Sequence, residues 1–166
     1  MRRMALFALL ALSACATVPS NLPMPHYADA ASRGSIGALM AGRPNQAQVE
    51  EATNRWSNAL RDSFACGVPM RQVIDAGLVG ALDIGAMNAA ASGGGQPEVR
   101  EGVGRYVAQL ASMAIAQHEK PSDSRCQALT SWAPRTAQAG RDAVQRARRN
   151  GLMDNDYGLL MDLLTR

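Results

Sequence analysis

Apolar residues recur along this chain at intervals of three and four rather than two, so the elements they predict are helices. Between Pro44 and Cys66 the positions Val49, Ala52, Trp56, Ala59, Leu60 and Phe64 fall on one helical face. Glu50, Glu51, Asn54, Arg55, Asn58 and Asp62 occupy the opposite side, with Glu51 and Arg55 spaced as a favourable i,i+4 pair. A second helix is expected from about Pro69 to Ala91, apolar almost all round and interrupted by Asp75 and Asp83. On it Gly77, Ala81, Gly85 and Ala89 repeat every fourth residue. This small-residue face suits close approach of another helix backbone, or alternatively a ligand groove, at a propensity cost of roughly 1 kcal/mol per glycine.

Ser92-Gly93-Gly94-Gly95-Gln96-Pro97 predicts a loop, and Pro97 fits the first turn of the next helix. From Glu98 to about His118, Val99, Val103, Tyr106, Val107, Leu110, Ala114 and Ile115 define another apolar face. Lys120-Pro121-Ser122-Asp123 is expected to turn and cap a short helix over about Arg125–Trp132. Pro134 is expected to open a further helix that stops at Asn150-Gly151, and Asp154 to cap a last one bearing Tyr157, Leu160, Leu163 and Leu164. Strands have little support, because alternation is absent and β-branched and aromatic residues are sparse. The fold class that follows is all-α: a compact bundle of about five to six helices.

The beginning of the chain differs in kind. Arg2 and Arg3 precede an apolar run from Met4 to Leu12, too short for a permanent membrane span and suited to a secretory signal. Leu12-Ser13-Ala14-Cys15 resembles the lipobox of bacterial lipoproteins. That resemblance implies cleavage before Cys15, lipidation of its thiol and attachment to a membrane; Ala16 at the next position implies the outer one. Pro19, Pro23 and Pro25 then predict an extended, flexible tether. The expected organisation is a signal peptide over 1–14, a lipidated tether over 15–27 and one helical domain over 28–166.

Composition changes this picture in two respects. The formal charge of +3 comes from 17 basic and 14 acidic residues, and removing Arg2 and Arg3 leaves 15 against 14, or +1. A near-neutral body speaks against nucleic-acid binding, which needs unopposed cations to displace counterions. With Cys15 lipidated, Cys66 and Cys126 remain in an oxidising compartment and are expected to pair as a disulfide.

Candidate chemistry is thin. His26 and His118 are the chain's two imidazoles, so neither a metal site nor any cofactor is expected. Asp75, Asp83 and His118 are the groups a peptidoglycan- or lipid-acting hydrolase would have to use, yet the two carboxylates are about 12 Å apart along one helix, and partnering with arginines or capping groups is the reading that spacing favours. Gly151-Leu152-Met153-Asp154 resembles the Gly-Leu-Met-Gln segment of lytic transglycosylases, but Asp154 replaces the glutamine and no Glu-Ser pair supplies the acid. Asp154-Asn155-Asp156-Tyr157-Gly158 resembles the start of a calcium loop whose acidic twelfth position is here Thr165.

The densest charge is Arg135, Arg141, Arg146, Arg148 and Arg149, opposed locally by Asp142. It reads first as a solvated face completed by Asp154, Asp156 and Asp162, and second as a contact for anionic lipid, lipopolysaccharide or an acidic partner. The function these readings favour is a lipid-anchored, non-enzymatic binding or assembly factor of the cell envelope, similar in architecture to pilotins. The alternatives are the hydrolase and a lipoprotein that supports envelope integrity.

Overall fold

A computed structural model describes residues 21–35 and 41–156. Among them are five helices and no strands: α1 (Ala28–Ser32), α2 (Gln46–Ala65), α3 (Met70–Ser92), α4 (Gln96–Ile115) and α5 (Asp123–Arg149). Local chemistry explains most boundaries. Asn45 and Gln48 form a reciprocal capping box, each side chain accepting from the other's backbone N–H at 2.9 Å. Glu98 turns back to accept from the Gly95 N–H at 2.6 Å where α4 begins. Ser122 caps α5 through the Arg125 N–H. Gly151 follows α5 with φ 70°, a left-handed conformation that glycine adopts without a Cβ penalty.

The apolar helix α3 is the hub, in contact with each of the other four. Length and hydropathy alone would let Met70–Ser92 cross a membrane, but 89% of its apolar window is buried inside the body. It is therefore the core helix of the bundle. Ile74, Val79 and Leu82 on α3 join Trp56 and Leu60 from α2, Val103 and Leu110 from α4, and Leu129 from α5, all essentially inaccessible. Alanine and valine make up much of that interior alongside these larger side chains, and its burial is the main favourable term for the fold.

Two sequence expectations need correction. Residues 125–149 form one helix rather than two, because Pro134 lies inside α5 and does not open a new element. An interior proline removes one helical hydrogen bond and costs about 3 kcal/mol. Here the buried face runs through it without a break, from Leu129, Trp132 and Ala133 to Thr136, Ala137 and Gly140. Arg135 also donates its Nε–H to the Ser131 carbonyl at 2.9 Å, one turn back on the same helix. The second correction concerns the end of the expected tether. Leu22 packs on the core and Pro23 is buried, so residues 22–27 lie against the body. The helix expected after Asp154 lies mostly outside the described residues.

Cys66, at the end of α2, and Cys126, in the first turn of α5, form a disulfide with Cα atoms 5.3 Å apart. Near it Arg125 Nε meets Asp62 Oδ2 at 3.2 Å, both side chains largely withdrawn from solvent. The two links fix the start of α5 to the end of α2. At the other end of α5, Arg146 reaches Asp29 at 2.9 Å and Asn150 donates to the Ser32 carbonyl at 2.7 Å, clamping the short α1.

Candidate functional site

The most unusual polar arrangement is built around Asp83, in the middle of the apolar α3 and only 1% exposed. A buried carboxylate is costly unless it is hydrogen-bonded. Its Oδ1 accepts from three consecutive backbone N–H groups, those of His26 at 2.8 Å, Tyr27 at 2.6 Å and Ala28 at 3.1 Å. Its Oδ2 accepts from Trp56 Nε1 at 3.1 Å. Successive N–H groups turned toward one point form a concavity for an anion, and here the chain supplies the anion itself. Burial pushes the Asp83 carboxyl above its ordinary value, although all four hydrogen bonds pull the other way.

Trp132 completes the clasp by donating its indole N–H to the Pro23 carbonyl at 2.9 Å, and its ring lies 5.8 Å from that of Trp56. The strap of residues 23–28 is thus held from α2, α3 and α5 at once. Proline-interrupted backbone cannot satisfy its polar groups within a helix or sheet, so side chains of the body do so. Beside the strap a small cavity of about 230 Å³ is bounded by Met24, His26, Gln48, Arg55 and Met87. Sequence reasoning weighed Asp83 as an acid/base candidate and favoured a partnered or capping role, without locating the partners. Its partners lie 27 to 57 positions away, and no local pattern connects them.

The groups proposed for hydrolysis are occupied structurally. Asp75 Oδ1 is 3.6 Å from Arg71 Nε across one turn of α3. His118 Nε2 lies 2.8 Å from the Met113 carbonyl, and its ring stacks with Phe64 at 6.4 Å. No group of three or more metal-binding side chains occurs among the described residues.

The small-residue face is filled by α4. A Cβ placed on Gly85 would lie 2.8 Å from the Val99 carbonyl oxygen and 2.9 Å from the Val103 amide nitrogen. One placed on Gly77 would meet Leu110 at 2.5 Å, and Ala81 and Ala89 are buried. Close helix approach is what these positions provide; the alternative of a groove has no space there.

The five arginines of α5 do not act as one patch. Arg135 turns to its own helix and Arg146 to Asp29 and Ser32. Asp154, expected to complete that face, pairs instead with Arg100 of α4 at 2.8 Å. Arg141 and Arg148 line a cleft toward α3, which contributes Arg71. Arg149 is exposed at the helix end. Cys15, Asp162 and Thr165 lie outside the described residues. No family model, curated protein or solved structure matches the chain.

Proposed function

We propose that this chain is a lipoprotein of the bacterial cell envelope, anchored through Cys15 to the periplasmic face of the outer membrane and acting as a non-enzymatic binding or assembly factor. The observation that carries the reading is Leu12-Ser13-Ala14-Cys15 placed directly after a basic pair and a short apolar run. The Cys66–Cys126 disulfide supports it, since such bonds persist in exported proteins and are rare in the cytosol. Engagement of Asp75, Asp83 and His118 in internal contacts favours binding over hydrolysis.

The strap gives the proposed anchor a geometry. Seven residue steps separate Cys15 from Leu22, so a lipid on Cys15 would hold the body within about 25 Å of the attachment point. Asn21 borders a polar cleft with Asn58, Arg61, Ser122 and Arg125, and that side of α2 and α5 would lie nearest the bilayer. The test is the intact mass and N-terminal sequence of protein isolated from envelopes. A mature chain beginning at an acylated Cys15 is expected, with acylation lost in Cys15→Ala. An unmodified cysteine, or a mature N-terminus elsewhere, would refute the anchor.

A further inference from the structure

We infer that the end of the bundle bearing Met70 and Ile115 rests against the lipid bilayer, with both side chains inserted at its surface; the inference rests on the Cys15 anchor proposed above. Four helices meet at that end. There α2 finishes and α5 begins, joined by the Cys66–Cys126 disulfide and by Arg125 with Asp62. The helices α3 and α4 pack antiparallel, since a Cβ on Gly77 would meet Leu110 and one on Gly85 would meet Val99 and Val103. That register sets Met70, the first residue of α3, level with the last turn of α4, which carries Ile115. Ile115 is 76% exposed and Met70 37%, two of the three large apolar side chains exposed among the described residues. Their sequence neighbours Pro69 and Ala116 are exposed as well.

The course of the strap indicates what covers this end. Asp29 meets Arg146 near the end of α5, the Pro23 carbonyl meets Trp132, and Asn21 borders Ser122, Ser124 and Arg125 at its start. From Asp29 back to Asn21 the chain therefore runs along α5 toward the end that carries Ile115. Six residue steps separate Asn21 from Cys15, so a lipid on Cys15 would attach within about 22 Å of Asn21. A bilayer held that close to this end is the apolar phase within reach of Ile115 and Met70. Charge gives no preference for an anionic surface. Among the described residues at this end Arg61, Arg71, Lys120 and Arg125 are matched by Asp62, Asp75, Glu119 and Asp123. Arg61 and Arg125 share Asp62, Lys120 pairs with Asp123, and Asp75 is one partner of Arg71. The contact is therefore apolar and independent of headgroup charge.

The test places a nitrobenzoxadiazole fluorophore on Ile115→Cys, Met70→Cys or Arg149→Cys, the last at the far end of α5, about 40 Å from its start. With Cys66 and Cys126 bridged, and Cys15 acylated or replaced, the introduced thiol is the one that labels. Two chains would be bound to phosphatidylcholine vesicles containing brominated phosphatidylcholine. One is the chain isolated from envelopes; the other is Cys15→Ala, held to nickel-chelating lipid by a hexahistidine segment in place of residues 1–14. At least two-fold quenching is expected at Ile115→Cys and Met70→Cys and none at Arg149→Cys, unchanged when phosphatidylglycerol is added. Ile115→Asp should remove at least half of the quenching at Met70→Cys. Equal quenching at Ile115→Cys and Arg149→Cys, its absence at Ile115→Cys in either membrane-bound chain, or a requirement for phosphatidylglycerol would overturn the contact. The intact mass of the envelope chain reports on the anchor separately. An unmodified Cys15 together with the expected quenching in the tagged chain would refute the anchor and support the contact.

Discussion

Replacing Asp83 by Asn isolates the clasp that holds the strap. The carboxamide keeps the volume of the side chain and one acceptor oxygen, which can still take the N–H groups of His26, Tyr27 and Ala28. Its NH₂ then faces Trp56 Nε1, a donor against a donor, where the carboxylate now accepts at 3.1 Å. Two buried donors lose their acceptors, at about 1 to 3 kcal/mol each. The neutral amide recovers part of the desolvation cost of a buried charge. The balance is a destabilisation of about 2 to 4 kcal/mol, and flipping the amide does not help because three N–H groups would then be orphaned instead of one. Asp83→Ala should cost more, since all four donors are left unpaired. Urea unfolding of the oxidised protein, followed by the fluorescence of Trp56 and Trp132 at the clasp itself, measures both. Trp132→Phe removes the bond to the Pro23 carbonyl, and a double-mutant cycle with Asp83→Asn should show coupling if the strap docks as a unit. An Asp83→Asn protein within 0.5 kcal/mol of the original would refute the reasoning, because it would mean that the four hydrogen bonds merely offset the burial of the charge.

The same residue gives a pH prediction. Burial raises its native carboxyl above the ordinary value of 3.8, so the native state holds the proton more tightly than the unfolded chain. Its contribution to stability is therefore full below 3.8 and is lost as pH rises through the raised native value. The stability gap between the original protein and Asp83→Asn should narrow from acid toward neutral pH; a gap that widens in urea titrations over that interval would contradict the raised pKa. Gly85→Ala should destabilise by about 1 to 2 kcal/mol despite a helix-propensity gain of about 1 kcal/mol, because the new methyl meets the backbone of α4 and not a side chain that can turn away. A higher melting temperature for that variant would show that α3 and α4 can separate at little cost. Reducing the Cys66–Cys126 bond, which spans a sequence separation of 60, should lower stability by about 4 kcal/mol by the chain-entropy model. Equal urea midpoints with and without reductant would exclude that contribution.

The helices were legible wherever one element generates its own signal. Periodicity located α2, α3 and α4 to within a few residues because each lays one apolar face, or in α3 nearly its whole surface, against the core. The turn at Ser122 and the stop at Gly151 followed from side-chain capping and glycine's access to positive φ, both local properties. Pro134 misled for the opposite reason. Its local preference is to break a helix, and that preference is overridden by tertiary packing of α5 on α3, where a Cβ placed on Gly140 would overlap Val79 at 1.9 Å. The disulfide was legible through cysteine arithmetic rather than geometry, since two thiols remain in the body once Cys15 is set aside.

The polar clasp around Asp83 was hidden because it is assembled from distant segments. Asp83 drew notice as an acid/base candidate because burial on an apolar helix raises a carboxyl pKa, while a partnered carboxylate was the favoured reading. Burial does raise it, yet both oxygens are committed to donors contributed by the strap and by Trp56. The arginines of α5 looked like a continuous face because one helix carries them, whereas the tertiary fold divides them by direction. Arg146 faces α1 and holds Asp29, while Arg141 and Arg148 line a cleft to which α3 contributes Arg71. Arg71 lies 70 positions before Arg141 and had no place in a cluster drawn from one segment. Charge density along one segment therefore could not show how the tertiary fold divides these side chains between two neighbouring helices.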